Sequence, residues 1–420
     1  MLKILIELTE FKWSMKQSRW CFQLLNTIYR IDKRLFLLAL LTFFQVTSMV
    51  MMRQLTPLYL ESTGATPGII GLAASLFAFL PLLISLPGGV FMDVLGYRLV
   101  LLLGSSCTIA AAVTLITLPA VNIVMLTQII AGLGHLLIIL SGQAYLSRIS
   151  SDAERSRNMA IFFTGPTSGF LVGPPVAGFL QDIGGFSMGY WGVILVSLLV
   201  LIMVFQIQEL PSLQDRSKTI TQLFQEQFSG IGDSISRLVQ SSEARLSMSI
   251  STIALFVLTL RTSFLLVHLQ HLGLSAFHIG LIVATIPITA LMIRPFLGRL
   301  VDWVGTHRLL TIAFLTGGAG ILVMAFTQNL IALFLTAFLF GITPTFSQPV
   351  SLIFMAEAAE EDKQGMAMGL RQTANRLGLL SGPLMFGVIA GQFGTQGCLI
   401  VAAIVFFATA GVLYRSRGVA

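Results

Sequence analysis

The sequence predicts an all-α integral membrane protein, with twelve transmembrane helices in two pseudo-symmetric six-helix bundles. Three observations carry that expectation. First, 55% of the 420 residues are hydrophobic and only 10% are charged, against about 25% charged in soluble proteins. So few charges cannot cover a water-facing surface. Second, the chain holds repeated apolar runs long enough to cross a bilayer, which takes about 20 mostly apolar residues for ~30 Å of hydrocarbon. Third, the second half of the chain repeats the first.

Residues 1–34 form a basic tail, with Lys3, Lys12, Lys16, Arg19, Arg30, Lys33 and Arg34 against Glu7, Glu10 and Asp32. The tail is too mixed and charged for a signal-peptide core. Its Phe11, Trp13, Trp20 and Phe22 suit a helix lying on the membrane surface, or equally a solvated tail. The first bundle, 35–208, contains crossings 1 to 6 at 35–58, 68–91, 98–119, 122–146, 158–180 and 188–208. A polar stretch of mixed charge, 209–247, reads as a linker. The second bundle, 248–415, contains crossings 7 to 12 at 248–270, 277–299, 307–327, 329–355, 366–390 and 396–415. A short tail, 416–420, ends the chain.

Lys and Arg set the orientation, because cytoplasmic loops carry their excess. Loops on one side hold Arg98, Arg148, Arg155, Arg157, Arg216, Lys218, Arg237, Arg245, Arg308, Lys363, Arg415 and Arg417, beside the basic tail. The short loops at 59–67, 181–187 and 391–395 hold none. Both termini are therefore expected in the cytoplasm, and short loops suit a bacterial inner membrane. The net charge of +7 follows from this bias and gives no reason to invoke nucleic acid. Cys21, Cys107 and Cys398 lie far apart, without disulfide or metal spacing. Neither a metal, a cofactor nor an enzymatic activity is expected, and the reading is of a monomer in the lipid bilayer.

Shifting the sequence by 209 positions aligns the halves without a gap from Gly64 to Gly185. Nine glycines find a glycine: Gly64/Gly273, Gly71/Gly280, Gly89/Gly298, Gly96/Gly305, Gly132/Gly341, Gly169/Gly378, Gly173/Gly382, Gly178/Gly387 and Gly185/Gly394. With 38 glycines in 420 residues, chance would match roughly one or two, so the repeat is an internal duplication. Asp93/Asp302 and Pro174/Pro383 match as well. Parallel six-helix halves are the plan from which rocking transporters are built, with a site near the bilayer midplane between them.

Two loops repeat a pattern that suits a moving contact. Gly89, Asp93, Gly96 and Arg98 follow crossing 2, and Gly298, Asp302, Gly305 and Arg308 follow crossing 8. The glycine four residues before the aspartate lets a neighbouring helix approach. The aspartate can cap a helix or pair with a cation, and the second glycine permits a sharp turn. An ordinary turn would need less. These residues resemble the signature loop of the major facilitator superfamily, and the twelve-helix duplication is similar to that family over nearly the whole chain. The resemblance implies a secondary transporter working by alternating access, with these eight residues in gating roles. It departs at Val94 and Trp303, where the family often has a basic residue.

Crossing 5 carries Gly169, Gly173, Pro174, Ala177 and Gly178, which is similar to a motif of drug–proton antiporters in that family. The other half repeats it as Gly378, Gly382, Pro383 and Gly387. Gly173, Pro174, Gly382 and Pro383 are therefore read as helix hinges, since proline frees a backbone carbonyl and glycine allows close approach. In crossing 4 the Gly132-x-Gly134 pair is present, but Gln128 stands where proton-coupled exporters of the family carry an arginine.

A charge at the bilayer centre costs ~2.5–3.5 kcal/mol by insertion scales, so each one needs a reason. None of the eighteen carboxylates falls near mid-bilayer. Arg261 lies nine residues from the end of crossing 7, ~13 Å at ~1.5 Å per residue. Arg376 lies ten residues into crossing 11, ~15 Å deep. Arg53 sits in crossing 1, one position from the repeat-equivalent of Arg261. Arg371 and Arg294 are shallower and can snorkel. The resemblance implies that crossings 1, 4, 7 and 10 line the central cavity, flanked by 5, 8 and 11. A guanidinium fork there suits carboxylate or phosphate. Backbone carbonyls freed near Pro57 or Pro383 are the rival partners. His135, midway along crossing 4, is a packing residue, a cargo ligand or a proton carrier, which keeps protons as a candidate partner. Gln45, Gln348 and Asn375 are nearby polar candidates.

The expected function is alternating-access transport of a small organic anion. Efflux of drugs or amphipathic compounds by proton antiport is the alternative. A receptor or assembly partner that transports nothing is a third reading, against which the paired loops and paired Gly-Pro motifs stand.

Overall fold

The computed structural model describes residues 32–84, 96–118, 120–210, 239–359 and 364–416. Every regular element among them is helical. Ten helical segments are long and apolar enough to cross a membrane. Two of these, Arg157–Phe205 with 49 residues and Met366–Arg415 with 50, would each run ~75 Å as one helix, far beyond a ~30 Å hydrocarbon core. Each folds back at glycine. Gly184 and Gly185 leave the helical region in the first, and Gly394 does so in the second. Ten segments, two of them folded back, are consistent with the twelve crossings that the hydropathy predicts.

Local chemistry fixes the ends. Asp32 accepts from the backbone N–H of Arg34 at 2.8 Å as crossing 1 begins. Asn329 accepts from Ile331 and Ala332 at the head of crossing 10. Crossing 7 begins at Ser242, earlier than the apolar run suggests. Ser241 caps it by accepting from the Ala244 N–H, and Glu243 suits the positive end of the helix dipole. Bulky apolar residues such as Leu195, Ile331, Leu335, Phe393 and Val412 are exposed, as expected of surfaces that face lipid. The aromatic residues Phe11, Trp13, Trp20 and Phe22, and the loop residues Gly89 and Asp93, lie outside the described residues.

The duplication is as plain in the backbone as in the sequence. Among the described residues, positive φ occurs at six glycines, and they form three pairs 209 apart. Gly64 and Gly273 have φ of 76° and 77°, Gly96 and Gly305 of 83° and 84°, and Gly185 and Gly394 of 69° and 68°. Side chains rarely tolerate this region, so glycine is dictated there. Within each half, Gly132 packs on the backbone of Phe77 and Gly341 on that of Ile286, and these contacts too are 209 apart.

The halves meet through another such pair. A Cβ on Gly71 in crossing 2 would overlap the Pro383 carbonyl of crossing 11, and one on Gly280 in crossing 8 would overlap the Pro174 carbonyl of crossing 5. These contacts lie toward the face opposite the basic loops. At that opposite face Glu61, at the end of crossing 1, pairs with His271, at the end of crossing 7, at 2.7 Å. Asp182, after crossing 5, accepts from the backbone N–H groups of both Ala276 and Phe277 at 2.9 Å. It caps crossing 8, a helix of the other half. At the basic face the bonds Arg34 to Gln208, Arg98 to Phe205 and Ser247 to Ser351 each stay within one half. Glu61 and Asp182 seal the halves together at the opposite face.

Asp182→Ala removes both acceptors at the seal. The expected loss is about 0.5–2 kcal/mol, the usual worth of a cap, taken from the sealed arrangement. A cysteine placed at Gln54 in a cysteine-free background should then change from unreactive to reactive toward an impermeant maleimide added at that face. An unchanged rate would mean that Asp182 does not hold the seal.

Candidate functional site

Crossing 7 is not one helix. It runs as α-helix over Ser242–Leu258, tightens to 3₁₀ over Thr259–Thr262, breaks at Ser263 and resumes over Phe264–His271. The hydroxyls explain the break. Thr259 donates to the Phe256 carbonyl at 2.6 Å, and Thr262 and Ser263 both donate to the Thr259 carbonyl at 3.1 and 2.8 Å. Such back-bonding competes with the helical ladder. Arg261 stands inside this unwound turn, at the depth where broken helices of transporters place their sites.

Arg53 approaches from crossing 1. Its Nη2 donates to the Thr262 hydroxyl at 2.9 Å. Thr262 is the residue 209 positions after Arg53, so Arg53 bonds to its own repeat counterpart and the contact lies on the pseudo-two-fold axis. The Arg53 guanidinium stacks over Phe77 at 4.7 Å, and that of Arg261 over Phe170 at 4.8 Å. Neither donates to a backbone carbonyl among the described residues, so carbonyls freed near Pro57 are not what holds them. The Arg261 guanidinium makes no hydrogen bond with any described residue. It borders a small cavity, ≈10 Å³, with Gln54, Phe170, Pro174 and Leu266, room for about one water.

His135 of crossing 4 faces the same ring as Arg53, with its centroid 5.9 Å from Phe77. Its Nδ1 is buried and without a partner among the described residues. The structure therefore gathers Arg53, Arg261 and His135, from crossings 1, 7 and 4, around Thr262 and Phe77; Arg376 of crossing 11 shares no hydrogen bond or ring contact with them among the described residues. The nine described carboxylates, at positions 32, 61, 152, 154, 182, 209, 243, 302 and 357, all lie at helix ends or in the short connections beside them.

Other candidates fall elsewhere. Gln45 is turned into its own half, donating to Thr108 of crossing 3 at 3.4 Å. Gln348 donates to the Ser251 carbonyl at 3.2 Å, and Asn375 to Gln372 at 3.4 Å with its Oδ1 buried and unpartnered. Gln128, at the arginine position of crossing 4, donates to Thr56 of crossing 1 and ties the two helices. Arg294 is exposed, as snorkelling predicts. Arg371 is not. It is buried and donates to the Ser351 hydroxyl at 2.9 Å, because crossing 10 offers a partner inside the bundle. A larger cavity, ≈730 Å³, at the basic face borders Asp32, Arg34, Tyr145 and Gln206. It contains none of the interior cations.

Of the loop residues, Gly96 and Gly305 make the turns expected of them. Glu209 accepts from the N–H groups of Tyr97 and Arg98 at 2.9 and 3.0 Å, and Arg98 stacks over Phe205. A Cβ on Gly298 would meet no described residue within 4 Å. Asp302 and Arg308 are exposed, with no ion pair among the described residues. At Gly173-Pro174 and Gly382-Pro383 the chain stays helical. Gly173 packs on Thr47 of crossing 1, and Gly382 on Phe256 and Thr259 of crossing 7. Sequence reasoning missed Phe77, Phe170 and Thr262. Only Thr262 left a signal, as the exact counterpart of Arg53.

Thr262→Val keeps the shape and removes the hydroxyl. Arg53 then loses its hydrogen bond, worth about 1.5–3 kcal/mol for a charged group. The thermal midpoint of the purified protein should fall, and Thr262→Ser should restore it. Equal midpoints for Thr262→Val and the unaltered protein would contradict the contact.

The sequence profile of the Major Facilitator Superfamily matches residues 35–266 and 246–419. A multi-drug resistance efflux pump PmrA homolog of Lactococcus lactis is 24% identical over 381 residues, 88% of this chain and 91% of that protein. The fold is similar to the nucleoside transporter NupG, with a TM-score of 0.76 at 14% identity, covering 91% of this chain and 99% of that one. It is also similar to the human organic anion transporter MFSD10, with a TM-score of 0.64 at 20% identity, covering 91% and 100%.

Proposed function

The chain belongs to the major facilitator superfamily, and from that premise we propose that it carries a small organic anion by alternating access. It is a multi-pass membrane transporter, and the two bundles, 35–208 and 248–415, are its moving units. One observation carries the anionic reading. Three guanidinium groups, those of Arg53, Arg261 and Arg376, stand in the interior with no carboxylate from the described residues beside them. A guanidinium in that setting is stable only with compensation, and its fork fits carboxylate or phosphate. Arg261 is the principal anion ligand, since its donors are unused. Arg53 and Arg376 complete the cationic lining, with His135 among them.

The basic loops support cytoplasmic termini, in a bacterial inner membrane, with a monomer as the working unit. On that orientation the structure is an inward-facing state. Gly71, Gly280, Glu61 and Asp182 close the outer side. The loops around Gly96–Arg98 and Gly298–Arg308 close the inner side in the opposite state, pivoting about Gly173-Pro174 and Gly382-Pro383.

The name of the Lactococcus relative favours a second reading, efflux of amphipathic drugs by proton antiport. Gln128 in the arginine position and the absence of a mid-bilayer carboxylate weigh against it. Thermal unfolding of the purified protein against a panel of organic anions and lipophilic cations separates the two. Anions should raise the midpoint and cations should not; stabilisation by cations alone would refute the anionic reading. Arg261→Ala should abolish saturable uptake at unchanged membrane expression, whereas undiminished uptake would remove Arg261 from the site.

A further inference from the structure

Seal and site share one wall. Resting on the anionic reading above, we propose that Phe170 and Thr262 are positioning residues that complete the anion site across the two halves. The site is whole only while the outer side is closed, so the cargo is held tightly toward the cytoplasm and loosely toward the outside.

Each arginine is held by the half to which it does not belong. Arg53, of the first half, donates to the Thr262 hydroxyl of the second at 2.9 Å. Arg261, of the second half, lies over the Phe170 ring of the first at 4.8 Å. Thr262 is the chain neighbour of Arg261, so the first contact also brings Arg53 to the broken turn that carries Arg261. The small cavity beside them is built the same way. Four of its described lining residues come from each half, among them Phe170 and Pro174 of crossing 5 and Arg261 and Thr262 of crossing 7.

Crossing 5 ties this cavity to the seal. Pro174 lines the cavity, and its carbonyl is what a Cβ on Gly280 of crossing 8 would overlap. Phe170 stands four residues earlier, on the same face of the helix. Asp182, eight residues beyond Pro174, holds the head of crossing 8. Parting crossing 5 from crossing 8 at the seal therefore draws Phe170 away from Arg261. Crossing 1 meets crossing 7 twice in the same way, at Glu61–His271 and at Arg53–Thr262. Arg53 lies eight residues before Glu61, ~12 Å along the helix, and a separation at the outer contact extends to the inner one.

An anion bound in the sealed state meets two guanidinium groups in one place. With the outer side open it meets one at a time, and neither has the partner that orients it. The loss of one charge-assisted contact lowers affinity about tenfold or more.

Titration calorimetry on the full chain in lipid nanodiscs tests this with a panel of aliphatic and aromatic carboxylates and inorganic phosphate. The tightest binder serves as the probe anion. Gly71→Leu wedges the seal open, since even a Cβ there overlaps the Pro383 carbonyl, and neither residue lines the cavity. Gly71→Ala, a smaller wedge, serves if leucine prevents folding. The wedged protein should bind the probe anion about tenfold or more weakly. Without the wedge, Phe170→Leu and Thr262→Val should each weaken binding several-fold, whereas Phe170→Tyr and Thr262→Ser, which keep the ring and the hydroxyl, should not. In the wedged protein Phe170→Leu should change little, because its contact is already broken. Equal affinity with and without the wedge, while Gln54→Cys in the wedged protein reacts with an impermeant maleimide at the outer face, overturns the proposal. So does a Phe170→Leu effect of the same size in both backgrounds. If no anion of the panel binds, the anionic reading itself fails and takes this proposal with it.

Discussion

Guanidinium groups held inside an apolar bundle, without a carboxylate beside them among the described residues, constrain everything else about this site. Each carries a cost of ~2.5–3.5 kcal/mol at the bilayer centre by insertion scales, and the protein offsets it only in part. Among the described residues, Arg53 is steadied by the Phe77 face and the Thr262 hydroxyl, and Arg261 by the Phe170 face. A ring satisfies the flat side of a guanidinium and leaves its donors free. The break in crossing 7 belongs to the same constraint, because Thr259, Thr262 and Ser263 unwind the helix where Arg261 must turn inward.

Around this site the duplicated scaffold does the positioning. Paired positive-φ glycines set the turns, and paired close contacts at Gly71/Pro383 and Gly280/Pro174 let backbones from opposite halves touch. Small residues make such contacts because packing, rather than the hydrophobic effect, drives association in lipid. The symmetry fails in informative places. Crossing 7 is broken and crossing 1 is continuous. Asp182 caps crossing 8, while its counterpart is Gly391, which offers crossing 2 nothing. The contact at Arg53 joins an arginine to a threonine that occupies the same position in the repeat. Scaffold follows the repeat, and chemistry sits where the repeat departs from itself.

The sequence shows the scaffold more clearly than the site. Hydropathy and glycine spacing foretell the crossings, the duplication and the turn glycines, because each depends on local composition or a fixed offset. Arg53, Arg261 and Arg376 are visible as charges in apolar runs. Their surroundings are not: Phe77 and Phe170 are two of 31 phenylalanines, and only packing distinguishes them. The break in crossing 7 is hidden because threonine and serine pass unnoticed in an apolar run. Gln45 and Arg371 show the limit of depth without rotation. Gln45 lies at a plausible depth yet faces crossing 3, and Arg371 finds Ser351 instead of the membrane surface. Glu61 and Asp182 are legible as helix-end acids, but not as bonds between the halves.

The central claim is that the interior arginines are anion ligands, with Arg261 foremost. Nitrogen-15 NMR of the protein labelled at arginine reads this directly, with the Arg261 signal assigned by its loss in Arg261→Lys. On titration with organic carboxylates the Arg261 side-chain N–H resonance should move downfield and saturate, and lipophilic cations should leave it in place. A resonance that ignores every anion, yet shifts with a lipophilic cation, would contradict the account.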